Sequence, residues 1–378
     1  MTTSTDVRSD WRVALPWLVG LFLAIRLIVV VLAIGVETVA RPDPSGPGGS
    51  ALHATDRPIL ASLTSWDAVY YLSIASDGYE AGPVNGPYPN SAFFPLYPLV
   101  VRAAGVPLGG DLALGGVLVA NGFGLLALIT TYGSARRRVP RNVALGAAAL
   151  VSINPGAVAL SMAYSDSLFL VLSVGAMWAA DRRSRRAAGV LGFLAALTRL
   201  QGALLVLPLF LAFFWQDGRR SRGWRMRRSW LWALLPLGGL LAVCAIVGAA
   251  TGDALAPLHA QGAWELGEVI DAVAPLWVLV IGGVVYGATI AVEAKLLFDR
   301  WRHGGDGIGV SWALANLAAI AVARRLQSFP RYAVPVTQLA VQAANGPYRP
   351  TLVRVIAWGS IIGFVVLGVL HFALQLAP

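Results

Sequence analysis

Cysteine, lysine and histidine are nearly missing from this chain. Its 378 residues hold one cysteine, Cys244, inside an apolar run. A single thiol leaves no disulfide framework within the chain. Lys295 is the single lysine, so almost all the positive charge is arginine. The four histidines, His53, His259, His303 and His371, are scattered far apart. A histidine metal site is therefore not expected, although a divalent ion at an outer face stays open. Charge of either sign is scarce: 13% of the residues are Asp, Glu, Lys or Arg, against about a quarter in soluble domains. No P-loop, no G-x-G-x-x-G opening a helix after a strand, no H-E-x-x-H and no Cys/His cluster is present. These absences exclude the commoner phosphate, dinucleotide and zinc chemistries. Without a soluble nucleotide-binding domain, a transferase built this way would draw on a lipid-borne donor.

What fills the chain is apolar, 57% by residue type. Only a bilayer solvates that much apolar side chain, and many runs reach the roughly 20 residues that cross a hydrocarbon core. The expected spans are 14–36, 112–134, 142–163, 166–181, 187–199, 200–215, 229–250, 272–298, 309–326, 333–345 and 352–376. This predicts an all-α polytopic protein of about eleven membrane helices, one membrane domain over residues 1–378. Span 14–36 is too long for a signal-peptide core and is read as an uncleaved first helix. The short spans 187–199 and 333–345 are expected to be tilted, broken or re-entrant. The net charge of +10 is not a nucleic-acid footprint, because the arginines fall in short clusters between apolar runs. Arg8 and Arg12, Arg136–Arg138 with Arg141, Arg182–Arg186, Arg219–Arg228, Arg300 with Arg302, and Arg349 with Arg354 mark every second connection as cytoplasmic. Arginine in place of lysine, with much Ala, Gly and Val, suggests a GC-rich bacterial genome and hence a bacterial plasma membrane. No internal repeat is visible, which counts against inverted-repeat transporters.

The outward connection 37–111 stands apart. It opens on a flexible Pro/Gly/Ser-rich stretch, Arg41 to Ser50. Residues 65–75 then read as a helix, with Ser65 as N-cap and Gly78 as its end. Trp66, Tyr70, Ser73 and Asp77 share one side, and Asp67, Tyr71 and Ile74 an adjacent one. Its aromatics and few charges place it at the membrane interface. The segment 92–99, flanked or broken by prolines, is a second interfacial element. A second outward loop is expected at 251–270, with His259, Gln261, Trp264 and Glu265 in it.

Asp67 is the leading candidate for chemistry: a carboxylate within reach of a hydroxyl can take its proton. The alternative is a first-turn acid that complements the helix dipole. Tyr164, Ser165, Asp166 and Ser167 follow Asn154-Pro155 at an outer helix end; Asp166 is either a cap or part of a polar cluster that binds hydroxyls. Arg199, with Gln201 and Gly202, and then Arg324, Arg325 and Arg331 beside Tyr332, run against the positive-inside trend. Ionisable residues at membrane depth default to function, and guanidinium groups bind phosphate bidentately; snorkelling to headgroups is the alternative. Arg26, inside the first helix, is read as pairing with a neighbour.

Taken in order, Trp66-Asp67-Ala68 through Ile74-Ala75 to Gly78-Tyr79, then 92–99, Asn154-Pro155, 164–169, 198–202 and 329–332 resemble the PIG-V family of membrane mannosyltransferases. The resemblance implies a GT-C-like fold with interfacial helices in the first extracytoplasmic loop. It implies an inverting mannosyltransferase with a polyprenyl-phosphate-mannose donor and an outer-face active site. Asp67 matches the catalytic acidic residue and Trp66 its neighbour; Arg199 and Arg331 match later basic positions. Trp66, Tyr70, Tyr164, Asp166, Gln201 and Tyr332 are expected to contact substrate, and Arg199, Arg324, Arg325 and Arg331 the donor phosphate. No cofactor is expected. The acceptor stays open between a glycolipid, a lipoglycan and a protein. Two other readings remain on the sequence: a lipid-linked-sugar transporter or flippase, and a non-catalytic scaffold.

Overall fold

The structure, a computed structural model, describes residues 4–39, 57–81, 89–218, 228–263, 312 and 350–374. Among the described residues all regular structure is helical. Helix α1 (Ser4–Val39) buries Ala14, Leu18, Ile25, Val29 and Ala33. Their spacing of four and seven is the apolar stripe of a helix that packs on one side only. Leu23, Leu27 and Val31 on the other faces stay exposed, as a lipid-facing surface would. Short helices α2 (Pro58–Leu63), α3 (Asp67–Asp77) and α4 (Leu96–Gly105) form the first loop. None is long enough to cross a bilayer, as expected for interfacial elements.

Helix α5 (Leu112–Arg136) begins at Asp111, whose Oδ1 accepts the Leu114 N–H at 2.9 Å and so satisfies an orphan donor of the first turn. Then come α6 (Arg141–Ile153), α7 (Asp166–Asp181), α8 (Arg185–Ala196), α9 (Val206–Gly218), α10 (Leu235–Thr251) and α11 (Ala256–Ala263). Helix α12 (Pro350–Leu374) packs on α1 and on the 3-10 turn Pro155–Leu160. Helix α7 packs on both α5 and α8, so it is the central element of the described part.

Four helical stretches among the described residues are long and apolar enough to cross a membrane: Asp10–Val36, Leu112–Arg136, Leu200–Asp217 and Trp230–Thr251. The expected spans 272–298, 309–326 and 333–345 lie outside the described residues, apart from Trp312. One expected span is shorter than read. Instead of running through 142–163, the α-helix stops at Ile153, because Pro155 has no N–H to give. Asn154 turns the chain by accepting the Gly156 N–H at 3.0 Å, and a 3-10 turn follows. The expected loop 251–270 also differs, since it contains α11.

These interruptions position the site. With 13, 16 and 12 residues, α6, α7 and α8 are about 20, 24 and 18 Å long, short of a hydrocarbon core about 30 Å thick. Irregular backbone between such helices is tolerated at membrane depth only under cover of protein or around water. Here protein covers it: every residue from Asn154 to Leu170 is buried.

Candidate active site

Two short elements bring the first-loop motif against the membrane helices. The Ala163 N–H donates to the Leu63 carbonyl at 2.9 Å, and the Tyr164 hydroxyl to the Ser65 carbonyl at 3.3 Å. Arg57 and Asp111 pair at 2.6 Å, closing the described loop across its ends. The chain then turns into α3 through Trp66, at φ 57° and ψ −124°. That is a region almost reserved for glycine, and a non-glycine held there stores about 1–3 kcal/mol. Ser65 does not cap the helix as expected; its hydroxyl bonds back to the Ser62 carbonyl at 2.9 Å, and Trp66 occupies the cap position without a side-chain bond. The Trp66 indole N–H is buried and has no partner among the described residues. Strain of this kind gathers at functional sites, and here it immediately precedes Asp67.

Asp67 is the first residue of α3 and is half-buried. It lies in the first turn, at the positive end of the helix dipole. Gly78, at φ 89°, ends the helix as expected. The Tyr70 ring stacks on Phe93, with centroids 4.8 Å apart. The Tyr71 hydroxyl meets the Ser165 hydroxyl at 2.6 Å, and its ring lies edge-on to Phe93 and Tyr97. Asn90 joins the two halves of the loop: its side chain accepts the Glu80 N–H at 3.2 Å and donates to the Gly78 carbonyl at 3.3 Å. Tyr79 donates to the Phe93 carbonyl at 2.8 Å. Burial, with Tyr71 close by, holds the Tyr79 hydroxyl well above the usual phenol range, so it stays a neutral donor and not a base.

On the other side, Asp166 opens α7 and Arg199 leads into the 3-10 turn Leu200–Leu205. Their side chains, separated by 33 positions, form an ion pair at 2.5 Å in which both partners are buried. Arg199 is held by the close approach of its turn to α8. A Cβ on Gly202 would stand 2.2 Å from the Ala195 carbonyl carbon, so only glycine fits. The Leu96 N–H, at the start of α4, donates to the Leu197 carbonyl at 3.0 Å and ties the first loop to this turn as well. Gln201 is half-buried beside it.

The structure thus places Trp66, Asp67, Tyr70, Tyr164, Asp166, Arg199 and Gln201, from three separated motifs, on elements that are tied to one another. Arg324, Arg325, Arg331 and Tyr332 lie outside the described residues. Sequence reasoning put Tyr71 on the helix face of Asp67 and Ser165 in the polar cluster without pairing the two, and it left Arg26 aside. Arg26 does pair, but with a backbone: its Nη2 donates to the Leu160 carbonyl at 3.0 Å, and its guanidinium lies 4.6 Å from the centre of the Phe22 ring. Ser167 donates to the same carbonyl at 3.0 Å. The signal that could have found it was a lone arginine within an apolar span. Among the described residues no group of three His, Cys, Asp or Glu side chains is placed to hold a metal.

Residues 23–211 match the family Mannosyltransferase (PIG-V). The GPI alpha-1,6-mannosyltransferase 2 of Mus musculus is 34% identical over 172 residues, covering 43% of this chain and 33% of the relative. The GPI mannosyltransferase 2 of Drosophila pseudoobscura pseudoobscura is 32% identical over 201 residues, covering 47% and 42%. The chain therefore spans less than half the length of these curated relatives. The Archaeoglobus fulgidus oligosaccharyltransferase in its apo form superposes with a TM-score of 0.53 at 14% identity, over 96% of this chain and 56% of that one. The archaeal oligosaccharyltransferase AglB from the same organism, in complex with an inhibitory peptide and a dolichol-phosphate, gives 0.52 at 14% identity, over 94% and 56%. At that identity the likeness is one of fold.

Proposed function

The chain belongs to the PIG-V mannosyltransferase family, and from that premise we propose that this membrane glycosyltransferase is an inverting mannosyltransferase that uses polyprenyl-phosphate-mannose. The acceptor is a glycolipid, a lipoglycan or a protein, and the site faces outward from a bacterial plasma membrane. The observation that carries the proposal is the tie between α3, the helix that Asp67 opens, and the buried Asp166–Arg199 pair, made by the Tyr71–Ser165 contact.

In this mechanism Asp67 takes the proton from an acceptor hydroxyl as its oxygen attacks the anomeric carbon. The new carbon–oxygen bond forms on the face opposite the phosphate. The old bond breaks, and its electron pair leaves with the polyprenyl phosphate. A β-linked donor gives an α-linked product. Arg199, whose guanidinium has five N–H donors, meets the charge that develops on the phosphate while Asp166 holds it in place. Arg324, Arg325 and Arg331 contribute to the same phosphate, and Trp66, Tyr70, Tyr164, Asp166, Gln201 and Tyr332 contact substrate. The dolichol-phosphate in the AglB complex, a protein of similar fold, supports a lipid-phosphate donor. Phosphate is already a competent leaving group, so EDTA is expected to leave the rate within twofold.

The test of the donor uses the purified chain in lipid nanodiscs, a membrane-lipid extract as acceptor, and mannose labelled in either polyprenyl-phosphate-mannose or GDP-mannose. Label is expected to move from the lipid-linked donor only. Direct transfer from GDP-mannose would overturn the proposal.

A further inference from the structure

In the proposed transfer Asp67 and Arg199 act on opposite sides of one reacting carbon, yet they reside on α3 and on the turn after α8. Their spacing must be set by something that joins the two. Tyr71 follows Asp67 by four positions, so the two share a helix face, about 6 Å apart along the axis. The buried Tyr71 hydroxyl lies 2.6 Å from the buried Ser165 hydroxyl. Ser165 is the neighbour of Asp166, which holds Arg199 at 2.5 Å. Two polar contacts and one peptide bond thus lead from the helix of the base to the cation. The Tyr71 ring is fixed independently by Phe93 and Tyr97, at 5.0 and 5.1 Å between centroids, so its hydroxyl is not needed to place the ring.

We infer that Tyr71 is a positioning residue, whose hydrogen bond with Ser165 sets the separation between Asp67 and the Asp166–Arg199 pair. The inference rests on the proposed mannosyl transfer. It follows from the steepness of rate with geometry: about 1 Å of misplacement can cost about a hundredfold, whereas substrate binding spread over many contacts changes little. Tyr71→Phe keeps the edge-on ring contacts and removes the oxygen alone. Ser165→Ala removes the other end.

The experiment measures transfer from polyprenyl-phosphate-mannose for the full chain, Tyr71→Phe, Ser165→Ala and the double variant, with hydrogen exchange of the α3 amides beside it. Each single variant is expected to lose about tenfold or more in kcat with the donor KM within twofold. The double variant is expected to be no worse than either single one, because both remove the same bond. Exchange in α3 should rise in all three variants. Singles that keep kcat within twofold, or losses that multiply in the double variant, would overturn the inference while leaving the proposed activity intact. A wild-type chain that transfers no lipid-linked mannose would instead remove the proposed function. In that case unchanged α3 exchange in Tyr71→Phe would refute the tether by itself.

Discussion

The Arg199 guanidinium and the Asp166 carboxylate meet at 2.5 Å, with both side chains buried. A charge taken out of water costs several kcal/mol, so each member of this pair depends on the other. Removing one leaves an uncompensated charge. Arg199→Met is therefore expected to destabilise the protein by about 3–5 kcal/mol, seen as a lower midpoint of thermal unfolding in detergent. Arg199→Lys keeps the charge and should keep the fold, but it loses the planar fork that can hold a carboxylate and a phosphate together. Its kcat should fall at least tenfold. Equal activity for the lysine variant would mean that charge alone matters at this position.

Arg26 acts on a backbone atom. Its bond to the Leu160 carbonyl, shared with Ser167, satisfies an acceptor at the end of the 3-10 turn that leads toward Asp166. Arg26→Met leaves a buried guanidinium site empty and weakens that acceptor, at an expected cost of about 1–3 kcal/mol. Arg26→Lys can still donate to Leu160 and should recover most of the loss. Thermal melts of the two variants side by side decide it. A methionine variant as stable as the wild type would show that the bond does not hold the turn.

Two glycines make a paired control. At Gly202 a Cβ would overlap the Ala195 backbone at 2.2–2.3 Å, while at Gly20 nothing lies within 4 Å. Gly202→Ala must push the Arg199 turn off α8, with an expected cost of about 3 kcal/mol and lost transfer. Gly20→Ala, in the exposed interior of α1, should be neutral or stabilise by up to about 1 kcal/mol. Expression level and melting temperature measure both, and similar behaviour of the two variants would contradict the close approach.

Much of this was legible in the residues. Helix α7 has the bounds expected from 166–181, because polar residues at its start and the arginines after Asp181 punctuate it. The first-loop helix ends at Gly78 as read. The start of α3 was misplaced by two residues, since Ser65 has the chemistry of a cap but spends its hydroxyl on Ser62, and the strained Trp66 has no such signal. Residues 142–163 looked like one crossing because hydropathy does not register a missing N–H, which Pro155 imposes. Helix α11 was missed inside an apparent loop; Asp253 turns the chain just ahead of it, accepting the Leu255 N–H at 2.9 Å, with His259 at 2.7 Å from the same carboxylate. The partnership of Tyr71 with Ser165 spans 94 positions, and that of Arg26 is with a carbonyl. Neither leaves a local pattern to read.

The most direct test of the central claim compares the purified chain with Asp67→Asn in transfer from polyprenyl-phosphate-mannose at equal donor occupancy. Asparagine keeps the size and one acceptor oxygen but cannot take the proton. At least a hundredfold lower kcat is expected, with the donor KM and the melting temperature close to those of the wild type. Transfer by Asp67→Asn at the wild-type rate would contradict it and remove Asp67 as the base.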